Sequence, residues 1–242
     1  MYADFNPDFE ANAPLADRAD AGRLLAERLR LYQDQNPIIL GLPRGGVAVA
    51  REIASALDAS LDVIVARKLG APDQPELGIG AVAPGGVEVL DQMAIDLLGI
   101  SPEEIAQITA RETVEMDRRL LLYRGNRPLP DLAERTVILV DDGLATGVTA
   151  RAAILAIRRR NPRRLVLAVP VCAPETAERL RPDVEDLVCL LTPDRFRAVG
   201  LWYRNFEQLT DEEVIGLLKH QPVKTDGEES ATSLKGDSEE DR

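Results

Sequence analysis

Residues 136–150 read TVILVDDGLATGVTA. The apolar, mostly β-branched run Val137-Ile138-Leu139-Val140 suits a strand buried on both faces of a parallel sheet. Asp141 and Asp142 follow at its carboxyl end, the edge outside which open α/β sheets bind their ligands. Gly143, Ala145 and Gly147 carry little or no side chain, so backbone N–H groups can approach an oxyanion closely. Thr146 and Thr149 add hydroxyl donors. Residues 150–157 continue as an apolar helix whose first turn starts near Gly147, and its unpaired amides and dipole favour a phosphate there. Carboxylates accept hydrogen bonds and suit vicinal hydroxyls, not a second anion. Strand, acidic edge and anion loop in this order ask for a phosphorylated sugar. An acidic pair after an apolar strand also serves nucleoside triphosphatases, but that reading needs a G-x-x-x-x-G-K-[ST] loop, which the chain lacks.

Two further loops obey the same physics. The strand expected over 37–41 runs into Gly41-Leu42-Pro43-Arg44-Gly45-Gly46 and a helix beginning near Val47, a second anion loop to which Arg44 adds a bidentate donor. A tight turn would also use Gly45 and Gly46. The strand expected over 61–66 ends in Arg67-Lys68-Leu69-Gly70, two adjacent cations at another carboxyl end; a solvated loop is the bland alternative. Residues 69–80, with three Gly and two Pro, read as a mobile lid. Elsewhere the pattern predicts helices over 17–34, 46–58, 147–160 and 174–181, strands over 136–141, 164–171 and 185–191, short strands within the 67–90 loop, and two helices over 91–123. This alternation is that of an α/β fold, a mainly parallel twisted sheet flanked by helices.

The stretch ILVDDGLATGVT resembles the phosphoribosyl-diphosphate motif of the type I phosphoribosyltransferases, two acids followed by a T-G-x-T turn. The resemblance implies a Rossmann-like sheet with a small hood-like C-terminal segment. It implies that Asp141 and Asp142 hold the ribose hydroxyls, and that Gly143, Leu144, Ala145, Thr146, Gly147, Val148 and Thr149 hold the 5-phosphate. The Arg44-Gly45-Gly46 loop would take pyrophosphate, with Arg67 and Lys68 neutralising charge on the leaving group. Mg²⁺ is the implied cofactor, contacting Asp141 and Asp142 indirectly through ribose hydroxyls or water. The implied reaction moves phosphoribosyl from phosphoribosyl diphosphate to a nitrogenous base or amine; a non-catalytic sensor of the same ligand is the rival. Ala145 stands where hypoxanthine-guanine enzymes carry an aspartate, which implies weak turnover of 6-oxopurines. Residues 196–206, FRAVGLWYRNF, are distantly similar to a base-stacking segment, which makes Phe196 and Trp202 candidates; ordinary packing explains them equally well. A homodimer is expected from the resemblance alone.

The chain has 242 residues, 45% hydrophobic, enough to bury a full core. Residues 1–15 read as an arm that can be disordered, 16–221 as one domain with a helical insertion over 91–130, and 222–242 as an acidic disordered tail with seven acids and three bases. The net charge of −12 argues against nucleic-acid binding. No run is long enough to span a membrane and no signal-peptide pattern is visible, so a cytoplasmic protein is expected. Cys172 and Cys189 fall within apolar strands and read as core thiols. The only histidine, His220, borders the acidic tail, so the chemistry must come from carboxylates, hydroxyls, backbone and cations.

Overall fold

In a computed structural model, which describes residues 15–219, the strand of the opening motif is the middle of a five-stranded sheet. The strands are β1 (Ile38–Gly41), β2 (Ser60–Val63), β6 (Thr136–Val140), β7 (Arg164–Val171) and β8 (Asp186–Leu191). They are ordered β2-β1-β6-β7-β8, and every pair is parallel. The remaining strands are β3 (Arg67–Gly70), β4 (Gly78–Ala83) and β5 (Val87–Leu90). His220, the tail and the arm up to residue 14 lie outside the described residues; Leu15, expected in that arm, is instead buried and bridges to Tyr203.

Every residue of β6 is buried, and alternation sends its side chains to two different cores. Ile138 and Val140 face α1 (Arg18–Leu29) and α2 (Gly45–Leu57), packing with Leu25, Leu29 and Ile53. Val137 and Leu139 face α5 (Val148–Arg158) and α6 (Pro174–Leu180), packing with Ile154, Ile157 and Leu180. Helices therefore cover both faces, as a parallel sheet requires. The long first helix expected over 17–34 ends at Leu29 and continues as a 3₁₀ turn over Arg30–Gln35.

The expected lid over 69–80 needs correction. Residues 67–90 form a second, antiparallel sheet ordered β3-β4-β5. Leu69 and Ile79 are fully buried in a core with Ile95 of α3 (Gln92–Leu98) and Ile108 of α4 (Pro102–Arg124). Within 69–80 only the turn over 72–77 is exposed. On α4, Ile108, Met116 and Tyr123 are buried whereas Leu121 is 59% exposed. α4 starts with a reciprocal capping box between Ser101 and Glu104. Near its end Arg124, side chain 9% exposed, pairs with the equally buried Asp62 of β2 at 3.0 Å and also donates to the Val63 carbonyl. That arginine is structural. The final helix, α7 (Asp211–Lys219), packs Val214 and Leu218 against Val47, Val63, Met116 and Tyr123.

Candidate functional site

Asp141 and Asp142 lie just beyond β6, and the β1–α2 loop closes over them. The fit depends on two glycines. A Cβ at Gly45 would stand 1.8 Å from Asp142 Oδ2, and one at Gly46 would stand 2.6 Å from the Val140 carbonyl and 2.8 Å from Asp141 Cα. No side chain fits either gap, so Gly45 and Gly46 bring one predicted loop directly against the acid pair. Arg44 precedes α2 through a cis Pro43–Arg44 peptide, and its charge is felt by the Tyr123 hydroxyl of α4.

The two acids have different surroundings. Asp141 accepts from the Asp142 backbone N–H at 2.9 Å. Burial, and next the charge of Asp142, raise its pKa well above the ordinary aspartate value. Asp142 is ion-paired: Arg18 Nε stands 2.7 Å from its Oδ2, with the two side chains only 12% and 17% exposed. The same guanidinium donates to the Glu207 carbonyl at 2.8 Å and lies 3.9 Å above the ring of Phe206. The Tyr203 hydroxyl donates to the Asp142 carbonyl at 2.6 Å, and its ring lies 4.9 Å from Phe206. Burial first, then Asp142, hold the Tyr203 hydroxyl in its neutral, donating form.

The loop over 143–149 is braced from beneath. Leu144, read as a ligand-contacting position, has a buried side chain; its N–H donates to Val171 and its carbonyl accepts from Ala173. It anchors the loop and has no main-chain donor left over. Ala145 and Thr146 are exposed, while their carbonyls accept from Thr176 Oγ1 at 2.5 Å and Arg179 Nη2 at 3.3 Å. Gly147 caps α5 at φ +66°, and a Cβ there would meet Thr176 at 2.6 Å. No side chain caps α5, so the first-turn amides of Val148, Thr149 and Ala150 have no intrahelical acceptor and point out of the helix end. Gly143 lies under Val199, whose methyl would stand 2.4 Å from a Cβ at that position. The C-terminal segment thus rests on the acid loop as a hood would.

Other predicted positions are placed elsewhere. Arg67 turns to α4 and forms an ion pair with Glu112 at 2.7 Å; Lys68 Nζ donates to the Glu76 carbonyl. Among the described residues, no hydrogen bond or ion pair joins either cation to the acid pair or to the 143–149 loop. Phe196 and Trp202 pack on the α1–α2 core, and the Trp202 indole N–H is buried without a partner. Within the same segment the Tyr203 hydroxyl reaches the Asp142 carbonyl and the Phe206 ring lies against Arg18. Cys172 and Cys189 are free thiols, burial pushing them up to about 12 and about 11, values that suit inert packing.

A cavity of about 640 Å³ opens beside Arg18, between Ala48 and Arg51 of α2, Asn205, and Leu217 of α7. Arg18 is what it shares with the acid site; neither acid nor the 143–149 loop lines it. No helix among the described residues is long and apolar enough to cross a membrane.

Comparison with known proteins gives one pattern. Residues 14–201 match the phosphoribosyl transferase domain family. Proteins named for phosphoribosyl transferases in two strains of Mycobacterium tuberculosis are 43% identical over 202 residues, 84% of this chain. The chain spans 46% of their length. A uracil phosphoribosyltransferase of Lactobacillus gasseri is 44% identical over 59 residues, 23% of this chain and 28% of its own. The crystal structure of a Thermus thermophilus protein superposes with a TM-score of 0.71 at 42% identity, covering 85% of this chain and 97% of the other.

Proposed function

The chain belongs to the phosphoribosyl transferase domain family, and from that premise we propose that it transfers phosphoribosyl from phosphoribosyl diphosphate to a small nitrogenous acceptor, releasing pyrophosphate. The observation that carries this reading is the juxtaposition of a half-buried acid pair, a glycine loop fitted against it, and the uncapped start of α5. The α5 amides and Thr149 suit the 5-phosphate. Asp141 and Asp142 suit the ribose hydroxyls. The 44–46 loop suits the pyrophosphate.

Cleavage at the anomeric carbon develops positive charge on the ribose and negative charge on the departing pyrophosphate, as in glycoside chemistry. The residues around it act by position and electrostatics, the carboxylates fixing the sugar while loop donors face the leaving group. Arg44 is the candidate for that contact from its place in the loop. For Arg67 and Lys68 the same role requires release from Glu112 and from the Glu76 carbonyl, so they are proposed as contacts of a rearranged state.

The donor set fits Mg²⁺ of a particular kind. Two adjacent carboxylates, with no larger cluster of metal-ligating side chains among the described residues, match an ion that arrives on substrate oxygens and keeps most of its water. Asp141 and Asp142 would hold it through ribose hydroxyls or water. When bound, it neutralises pyrophosphate charge. A cytoplasmic setting accords with this substrate, and a homodimer with the family.

The test has two parts. Calorimetric titration of phosphoribosyl diphosphate with Mg²⁺ into wild type and the Asp141→Asn, Asp142→Asn double variant should show binding that depends on the carboxylates. Acceptor-dependent release of pyrophosphate, lost in Asp142→Asn, then separates a transferase from a sensor. Adenine, orotate and uracil come first among acceptors, and Ala145 leads us to expect poor turnover of hypoxanthine and guanine. Binding without release for any acceptor would favour the sensor; no binding by folded protein removes both readings.

A further inference from the structure

We propose that Arg18 is a positioning residue of the phosphoribosyl site: through the ion pair at Oδ2 it fixes the Asp142 carboxylate in the orientation that meets a ribose hydroxyl. The inference rests on the ribose-binding role proposed above for Asp142. It does not follow from the acidic motif, because Arg18 lies 124 residues away in sequence on the first turn of α1.

Four observations make this a built contact and not a chance surface pair. Both side chains are largely buried, at 12% and 17% exposure. The guanidinium is held at three places, by Asp142 at 2.7 Å, by the Glu207 carbonyl at 2.8 Å and by the Phe206 ring at 3.9 Å. Arginine alone among the cationic side chains has a planar fork that can bond in two directions while stacking on an aromatic face. The neighbouring backbone is shaped to the pair, since a Cβ at Gly45 would stand 1.8 Å from Asp142 Oδ2 and 2.7 Å from Arg18 Nε. The acid is held from its other end as well, where Tyr203 binds its carbonyl.

A competing latch would need to let go when substrate arrives. That would leave the guanidinium partly buried without its carboxylate, which is strongly unfavourable. Arg18 takes Oδ2 only, and an ionised carboxylate accepts at both oxygens. The geometry therefore suits retention of the pair on binding. Arg18 also offsets part of the negative charge where two carboxylates are adjacent.

Because pyrophosphate carries no ribose hydroxyl for Asp142 to meet, the proposal separates two ligands. Affinities for phosphoribosyl diphosphate and for inorganic pyrophosphate, each with Mg²⁺, would be measured by calorimetry on wild type, Arg18→Met and Arg18→Lys, with thermal melts to confirm folding. Arg18→Met should lose at least tenfold for phosphoribosyl diphosphate and stay within twofold of wild type for pyrophosphate. Arg18→Lys, keeping the charge but not the fork, should lose about threefold for the first ligand only. Unchanged or tighter binding of phosphoribosyl diphosphate by folded Arg18→Met overturns the proposal, as does parallel loss of both ligands. If Arg18→Met does not fold, Arg18→Lys decides by the same two-ligand comparison. Wild type that binds pyrophosphate but not phosphoribosyl diphosphate would overturn the ribose reading itself, and Arg18's role with it.

Discussion

At the scale of single residues, the two acids make opposite demands on stability. Asp142 has its charge matched by Arg18, whereas Asp141 is half-buried beside another carboxylate and has its pKa raised, by desolvation first and by Asp142 second. A raised carboxyl pKa means that the folded state holds its proton more tightly than the unfolded chain does. Below the ordinary aspartate range both states are protonated and the group is neutral in its effect. As pH climbs from there through the raised value, ionisation costs folding free energy, and above that value the whole cost is present. Asparagine can still accept from the Asp142 N–H and carries no charge. Asp141→Asn should therefore melt higher than wild type at pH 8, with the difference shrinking toward zero near pH 3, and should bind phosphoribosyl diphosphate at least tenfold more weakly. Melting curves across pH check the first part, and a variant less stable at pH 8 than wild type would refute it. A site whose removal stabilises the fold is the expected signature of function working against stability.

At the scale of elements, the sequence was legible where one strand carried its own signal and illegible where structure came from distant partners. β6 could be read because a strand buried on both faces needs an uninterrupted apolar run, which residues 137–140 supply. The α5 start could be read because Gly147 and two threonines mark a helix entrance. By contrast β3, β4 and β5 are only four to six residues long, so the pattern predicts short strands within a loop but not the packed sheet that they form. What stabilises them is α3 and α4, which local pattern cannot show. The consequence is measurable at Leu69, which has no exposed surface. Leu69→Ala in this packed sheet should cost roughly 2–5 kcal/mol in denaturant unfolding; a cost within about 0.5 kcal/mol, typical of surface positions, would restore the mobile lid. The exposed turn over 72–77 is the part left free to move, and Lys68 is tied to it through the Glu76 carbonyl. The partner of Arg67 is hidden from local pattern for the same reason, since Glu112 is on a helix 45 residues on.

At the scale of the whole molecule, the first described residues, 15–18, and the segment over 202–207 meet beside Asp142. Leu15 donates to the Trp202 carbonyl at 2.7 Å, Arg204 donates to the Leu15 carbonyl at 2.8 Å, and Asn205 donates to the Ala16 carbonyl at 3.0 Å. Arg18 then joins both ends to Asp142 through Glu207 and Phe206. No local motif could reveal this, because each contact pairs residues far apart in sequence; the aromatic cluster over 196–206 is the one visible hint, and of its members Phe196 and Trp202 pack on the core while Tyr203 and Phe206 meet Asp142 and Arg18. A ligand seated on Asp142 should therefore tighten this clasp along with the loop it touches. Phosphoribosyl diphosphate at about a hundred times its Kd should add roughly 2.7 kcal/mol, raising Tm by about 5–10 °C for a chain of this size. Hydrogen exchange should slow in three separated segments, 141–151, 15–19 and 199–207, since opening either end would now release the bound ligand as well. Protection confined to 141–151, with the two ends exchanging as in the free protein, would show that the clasp is only scaffolding and that the acid pair binds without it.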